Sequence, residues 1–182
     1  MEYDITPEEG EELEFVWLYS IDLNSAQHIL RTIRKHTRDD EQDKGLRYWL
    51  LVALVVTYMR PFSTNRGKVL RRHSLDMKDV VSPDLEDLHN RLENYRNQQF
   101  AHTDVSCYNP GVGNLGTADN PWWSMSLKGQ DFEYLDKNLQ RIGTLIQTVE
   151  EKVKALLEQK LAYRLSRVVR TPAAGSPPPP TT

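Results

Sequence analysis

Residues 132–156 read FEYLDKNLQRIGTLIQTVEEKVKAL, and their apolar positions Phe132, Leu135, Leu139, Ile142, Ile146, Val149, Val153 and Leu156 recur in alternating steps of three and four. With 3.6 residues per turn, that period sets all eight on one side of a helix, as a continuous heptad-type seam. A seam this long has to be covered. Other helices of the same chain cover it most simply, although its length also suits a second copy of the chain.

Three earlier segments supply the cover. The first runs from Glu11 to His36, with Leu13, Val16, Ile29, Leu30 and Ile33 at helical spacings and a candidate break at Asp22 to Asn24, where capping residues cluster. The second, Asp43 to Met59, is apolar on most of its surface, which predicts the centre of the bundle, and Pro61 ends it. The third opens with Ser82 as N-cap and Pro83 as first helical residue, with Asp84, Glu86 and Asp87 where acids favour the helix dipole. Its stripe is Leu85, Leu88, Leu92 and Tyr95. The expected fold is therefore all-α, an antiparallel helical bundle of four to five helices.

Between the last two long helices, Val105 to Gln130 carries Asn109-Pro110-Gly111, Gly113, Gly116 and Asn120-Pro121, which predicts a loop or small hairpin insertion. Trp122 and Trp123 can serve there in two ways, stacking nucleic-acid bases or pinning the loop onto the core, and we take the second. Residues 1–165 then form one helical domain. Residues 166–182 contain Pro172-Ala173-Ala174-Gly175-Ser176 followed by four prolines, a Pro-rich composition that cannot build a core and is expected to be disordered.

The 182 residues are 38% hydrophobic and 27% charged, a globular composition. The single cysteine, Cys107, excludes an internal disulfide framework and a cysteine-cluster metal site, and points to a reducing, cytoplasmic setting. The best apolar run, Leu46 to Met59, is too short to span a membrane, and the acidic N-terminus lacks the order of a signal peptide. The net charge of -3 is unevenly spread. Met1 to Glu14 holds seven acids and no bases, whereas Arg60 to His73 holds five bases, Arg60, Arg66, Lys68, Arg71 and Arg72, and no acids. A basic loop joining two helices is either a solvated connector or, beside a cleft, a guide for phosphates; in the second case Arg66, Lys68, Arg71 and Arg72 bind RNA.

Chemistry concentrates in Arg96-Asn97-Gln98-Gln99-Phe100-Ala101-His102-Thr103-Asp104. A permanently charged donor and a neutral-pH acid/base stand at the end of an amphipathic helix, where side chains are both positioned and exposed. Spacing alone would not single them out, since the chain has 14 arginines and five histidines. On an ideal helix Arg96 and His102 are roughly 120° apart, so bringing them together requires a loosened last turn or a second subunit. The plain alternative is that both simply complement the helix C-terminal dipole. Glu86 and His89 have the spacing of a carboxylate-bridged metal motif, but no second copy exists, and no phosphate-binding glycine motif or paired zinc-type histidines occur. No metal and no cofactor are expected.

A helical bundle whose third helix ends in Arg-Asn, a short spacer and Ala-His followed by Asp resembles the HEPN superfamily, and Tyr95 to Asp104 is especially similar to its U-type abortive-infection branch. The resemblance covers Glu11 to Leu165, with a specific core of about ten residues. It implies a homodimeric, metal-independent endoribonuclease of toxin–antitoxin or phage-defence type, with Arg96 and His102 catalytic, Asn97 and Asp104 supporting, and a cognate antitoxin or neighbouring-gene product as partner. Some members only bind, so a non-catalytic module for RNA, nucleotide or a partner protein is the second implication. The implied reaction is internal transesterification: His102 takes the proton of a ribose 2′-hydroxyl, that oxygen attacks the adjacent phosphorus, and Arg96 stabilises the phosphoryl charge.

Overall fold

A computed structural model describes residues 6–36, 44–70, 72–100, 111–114, 117, 120, 122–126 and 132–170. The chain is an all-α helical bundle with a small hairpin insertion. Helix α1 spans Pro7–His36 and α2 Lys44–Met59. A single turn, α3, follows at Met77–Val80, then a 3-10 turn at Pro83–Leu85, helix α4 at Glu86–Asn94 and a π-helical segment at Tyr95–Phe100. Strands β1 (Gly111–Asn114) and β2 (Trp123–Ser126) pair antiparallel, with Gly111 opposite Ser126 and Asn114 opposite Trp123. Helices α5 (Phe132–Lys137) and α6 (Leu139–Arg170) complete the chain.

Helix α1 starts earlier than its apolar pattern does. The backbone N–H of Glu9 donates to Thr6 Oγ1 at 3.2 Å while Thr6 N–H donates to Glu9 Oε2 at 3.1 Å, a reciprocal capping box with Pro7 at the first helical position. The break expected at Asp22 to Asn24 is absent. Leu23 and Ala26 are fully buried there, and Asp22 spends its carboxylate on Arg60 at 3.2 Å instead of on a cap, so core packing carries the helix through.

The seam of residues 132–156 is covered within the chain. Leu135, Ile142, Ile146, Val149 and Val153 are buried as the periodicity predicts, joined by Leu145, and Phe132, Leu139 and Leu156 pack against that cluster. Helix α1 runs antiparallel along α6: Arg34 donates to the Leu139 carbonyl at 2.9 Å at one end, and Lys160 pairs with Glu12 at 2.8 Å at the other. Gly143 permits the close approach, since a Cβ there would lie 3.0 Å from Leu30 Cδ2. The predicted single helix is interrupted at Asn138, whose side-chain amide donates to the Tyr134 carbonyl at 2.8 Å. The Asn138 carbonyl then accepts from Ile142 N–H at 2.8 Å and starts α6.

Only part of α2 is central. Leu51, Leu54, Val55, Tyr58 and Met59 are buried, but Leu46 and Trp49 near its start are more than half exposed. Helix α1 packs against α2 and α6, and α4 packs against the same two. The last helix continues to Arg170, beyond the domain end read at residue 165, and residues 171–182 lie outside the described residues. Trp122 is 70% exposed, which removes it as the core pin we expected. No helix of the described residues is long and apolar enough to cross a membrane.

Candidate functional site

Ser82 and Pro83 begin the third segment as predicted, but the first turn is 3-10 and the Ser82 side chain makes no capping bond. The α-helix proper starts at Glu86, with Glu86 and Asp87 in its first turn, and Asp87 reaches across to Arg141 at 3.3 Å. At Tyr95 the ladder loosens to π geometry through Phe100. Such turns recur at functional sites because the wider ring changes where side chains emerge. Tyr95 anchors the segment: it is buried, its ring lies 6.2 Å from that of Tyr134, and the Arg91 guanidinium sits over both rings.

Arg96 emerges from this turn half-buried. Its Nη1 donates to Asn97 Oδ1 at 2.7 Å, so the residue that follows the arginine holds the guanidinium. The two line an open hollow of about 410 Å³ with Glu93, Met59, Phe62, Ser63 and Thr64. One wall is thus the end of α4 and the other is the turn that ends α2. Pro61 closes that turn, Phe62 N–H donates to the Met59 carbonyl at 3.2 Å, and Ser63 Oγ donates to the same carbonyl at 2.9 Å. Guanidinium, amide and hydroxyl groups facing one hollow can receive an anionic, hydrogen-bonding ligand such as a phosphodiester. Glu93 opposes that charge. Ser63, Thr64 and Glu93 were not foreseen, because they join Arg96 only through the crossing of two elements.

His102 and Asp104 lie outside the described residues. The geometry places Arg96 and Asn97 in one hollow, on a last turn that is loosened to π geometry.

The basic loop is a built structure. Asn65 and His73 pair as an isolated antiparallel bridge, with N–H to carbonyl bonds of 2.9 and 3.0 Å. The His73 ring stacks on Phe15 at 4.8 Å, and its Nδ1 meets the Tyr19 hydroxyl at 2.7 Å, which ties the loop to α1. At the tip, backbone N–H groups of Lys68, Val69 and Leu70 all donate to the Glu11 carboxylate. Three converging amides make a small anion nest, and the Leu70 N–H above all holds the Glu11 carboxyl below the usual carboxylate range. A Cβ at Gly67 would overlap that carboxylate, so a side chain there would displace Glu11 from the nest. Arg66, Lys68 and Arg72 are exposed. Arg71 lies outside the described residues. Arg66 and Lys68 border a hollow of about 340 Å³ with Glu11, Glu14, Phe15 and Leu18, distinct from the one at Arg96.

His89, the member of the Glu-x-x-His spacing, is a core residue, 3% exposed. Its Nδ1 lies 2.8 Å from the Tyr58 hydroxyl, and burial lowers its pKa to about 4. Among the described residues no three His, Cys, Asp or Glu side chains gather as a metal site. Comparison with family models, with curated proteins and with solved structures returns no match for this chain.

Proposed function

We propose that the chain is a HEPN-type, metal-independent endoribonuclease of toxin or phage-defence type. The observation that carries the reading is Arg96, fixed by Asn97 at 2.7 Å in an open polar hollow, on the loosened turn six positions before His102. In this reading a phosphodiester enters the hollow and Arg96, with Asn97 behind it, takes the charge of the phosphoryl oxygens. His102 accepts the 2′-hydroxyl proton, the 2′-oxygen bonds to phosphorus, the bond to the 5′-oxygen breaks, and that oxygen leaves with a proton. Asp104 supports His102. Arg66, Lys68, Arg71 and Arg72 hold the flanking strand by its phosphates. The chain works in the cytoplasm as a homodimer, restrained by an antitoxin or neighbouring-gene product.

The carboxylate of Glu93 in the same hollow favours a second reading. A negative charge beside Arg96 weakens phosphate affinity, so within the non-catalytic alternative, a module that binds RNA, nucleotide or a partner protein, it suits the partner protein best. Incubating the purified protein with labelled single-stranded RNA in excess EDTA separates the two. The enzyme leaves ends bearing 2′,3′-cyclic phosphate or its hydrolysis product. Binding with intact RNA selects the module, and neither binding nor cleavage rejects the ribonuclease and any RNA-binding module.

A further inference from the structure

Helix α1 is bipolar. From Pro7 to Asp22 it carries six acids and no Lys or Arg, and from Leu23 to His36 it carries Arg31, Arg34 and Lys35, two histidines and no acid. Its inner face packs on α2 and α6. On the outer face Trp17, Leu18 and Ile21 form a contiguous apolar patch, 55%, 47% and 43% exposed. At 100° per residue, Glu14 lies on that same face one turn before the patch, and His28 lies on it two turns after, with Arg31 at its edge. All three are exposed. Large apolar side chains clustered on a solvent face mark an interaction surface more often than chance placement.

The order acid, apolar centre, base is self-complementary under one operation. A two-fold axis near Ile21 lays the face antiparallel on its own copy, stacks the apolar patches, and brings Glu14 of each copy to the His28–Arg31 turn of the other. A parallel arrangement would set acid against acid. We infer that this face of α1, centred on Trp17, Leu18 and Ile21, docks a second copy of the same chain in antiparallel orientation. The α6 seam cannot do so, because α1 already covers it. The inference names the face of the homodimer proposed above and rests on that part of the reading, not on the ribonuclease chemistry: no residue lining the Arg96 hollow comes from α1, whereas Glu14 and Leu18 also border the hollow of Arg66 and Lys68.

Sedimentation velocity of the full chain tests the surface, with circular dichroism confirming the fold of each variant. Wild type should reach a dimer as concentration rises into the high micromolar range. Ile21→Glu, at the axis, should leave a monomer at every concentration. Glu14→Arg and Arg31→Glu should each weaken association by roughly three- to tenfold, as rim charges do when a like charge replaces a partner, and the double variant should regain most of it. As a check that needs no loss of stability, Ile21→Cys in a Cys107→Ser background should oxidise to a covalent dimer. A monomeric wild type overturns the inference, as does a dimer that Ile21→Glu leaves intact or charge reversals that do not compensate. Ribonuclease activity, present or absent, bears on neither outcome.

Discussion

The Tyr58 hydroxyl lies 2.8 Å from Nδ1 of His89, and the Phe62 ring stands edge-on to the imidazole at 4.5 Å. This polar pair is sealed inside the bundle at the crossing of α2 and α4, on the inner side of the residues that form the Arg96 hollow. Burial drives both groups toward the neutral form, pushing the Tyr58 hydroxyl up and the His89 imidazole down to about 4. The pair therefore gives the bundle a defined acid sensitivity.

Because His89 is protonated more easily in the unfolded chain than in the folded one, acid favours unfolding. Its contribution is complete above about 6.5, falls between there and about 4, and changes no further below. Across that window the loss amounts to roughly 3 kcal/mol. His73, whose pKa burial also lowers, acts in the same direction. Melting temperatures from pH 7 down to pH 4 should fall steadily, and His89→Phe should flatten the slope. A wild-type Tm that is level over this range contradicts the burial of a neutral His89. Tyr58→Phe, which strands a buried ring nitrogen, should cost about 1–3 kcal/mol by urea unfolding.

The Glu11 nest makes a second prediction. Gly67→Ala places a methyl group where the carboxylate sits and should lower Tm and detach the tip of the basic loop, read as faster amide exchange at Lys68, Val69 and Leu70. Gly45→Ala, which meets nothing within 4 Å, is the matched control and should be neutral or slightly stabilising. Equal effects of the two substitutions would remove the nest from the account.

For the basic loop the expected outcome is electrostatic. Replacing Arg66 and Lys68 by glutamate should weaken single-stranded RNA binding and reduce the slope of log affinity against log salt by about 0.7 for each phosphate no longer neutralised. The fold should survive, since both side chains are exposed and the loop is held by its backbone and by His73. Unchanged affinity and slope would make the loop a solvated connector.

What could be read in advance followed from strong local patterns. The period of residues 132–156, the Ser82-Pro83 start and the Gly-Pro-Asn punctuation around the β1–β2 hairpin each act over a few residues, and each reappears in the fold. The start of α1 was legible too, in Thr6 and Glu9, but lacked an apolar residue to draw attention to it. The supposed break at Asp22 failed because buried Leu23 and Ala26 outweigh local capping preferences. The interruption at Asn138 rests on one side-chain bond to Tyr134 that the apolar period does not register, and the hollow that joins Ser63 and Thr64 to Arg96 arises from the crossing of distant segments. No local pattern encodes that hollow. For the candidate site, the Arg96–Asn97 contact was implicit in their adjacency, whereas Glu93 needed the helix in place.

The central claim is that Arg96 and His102 cleave RNA through its own 2′-hydroxyl, and one substrate comparison addresses it most directly. Matched oligonucleotides, one all-ribose and one with a single 2′-deoxy residue at the mapped cut, are incubated in EDTA with wild type, Arg96→Ala and His102→Ala proteins of verified fold. The account predicts that only wild type with the all-ribose strand yields product, each substitution losing roughly 10²–10⁴-fold. Cleavage of the 2′-deoxy strand at the same position, or undiminished cleavage by folded Arg96→Ala or His102→Ala protein, would contradict it.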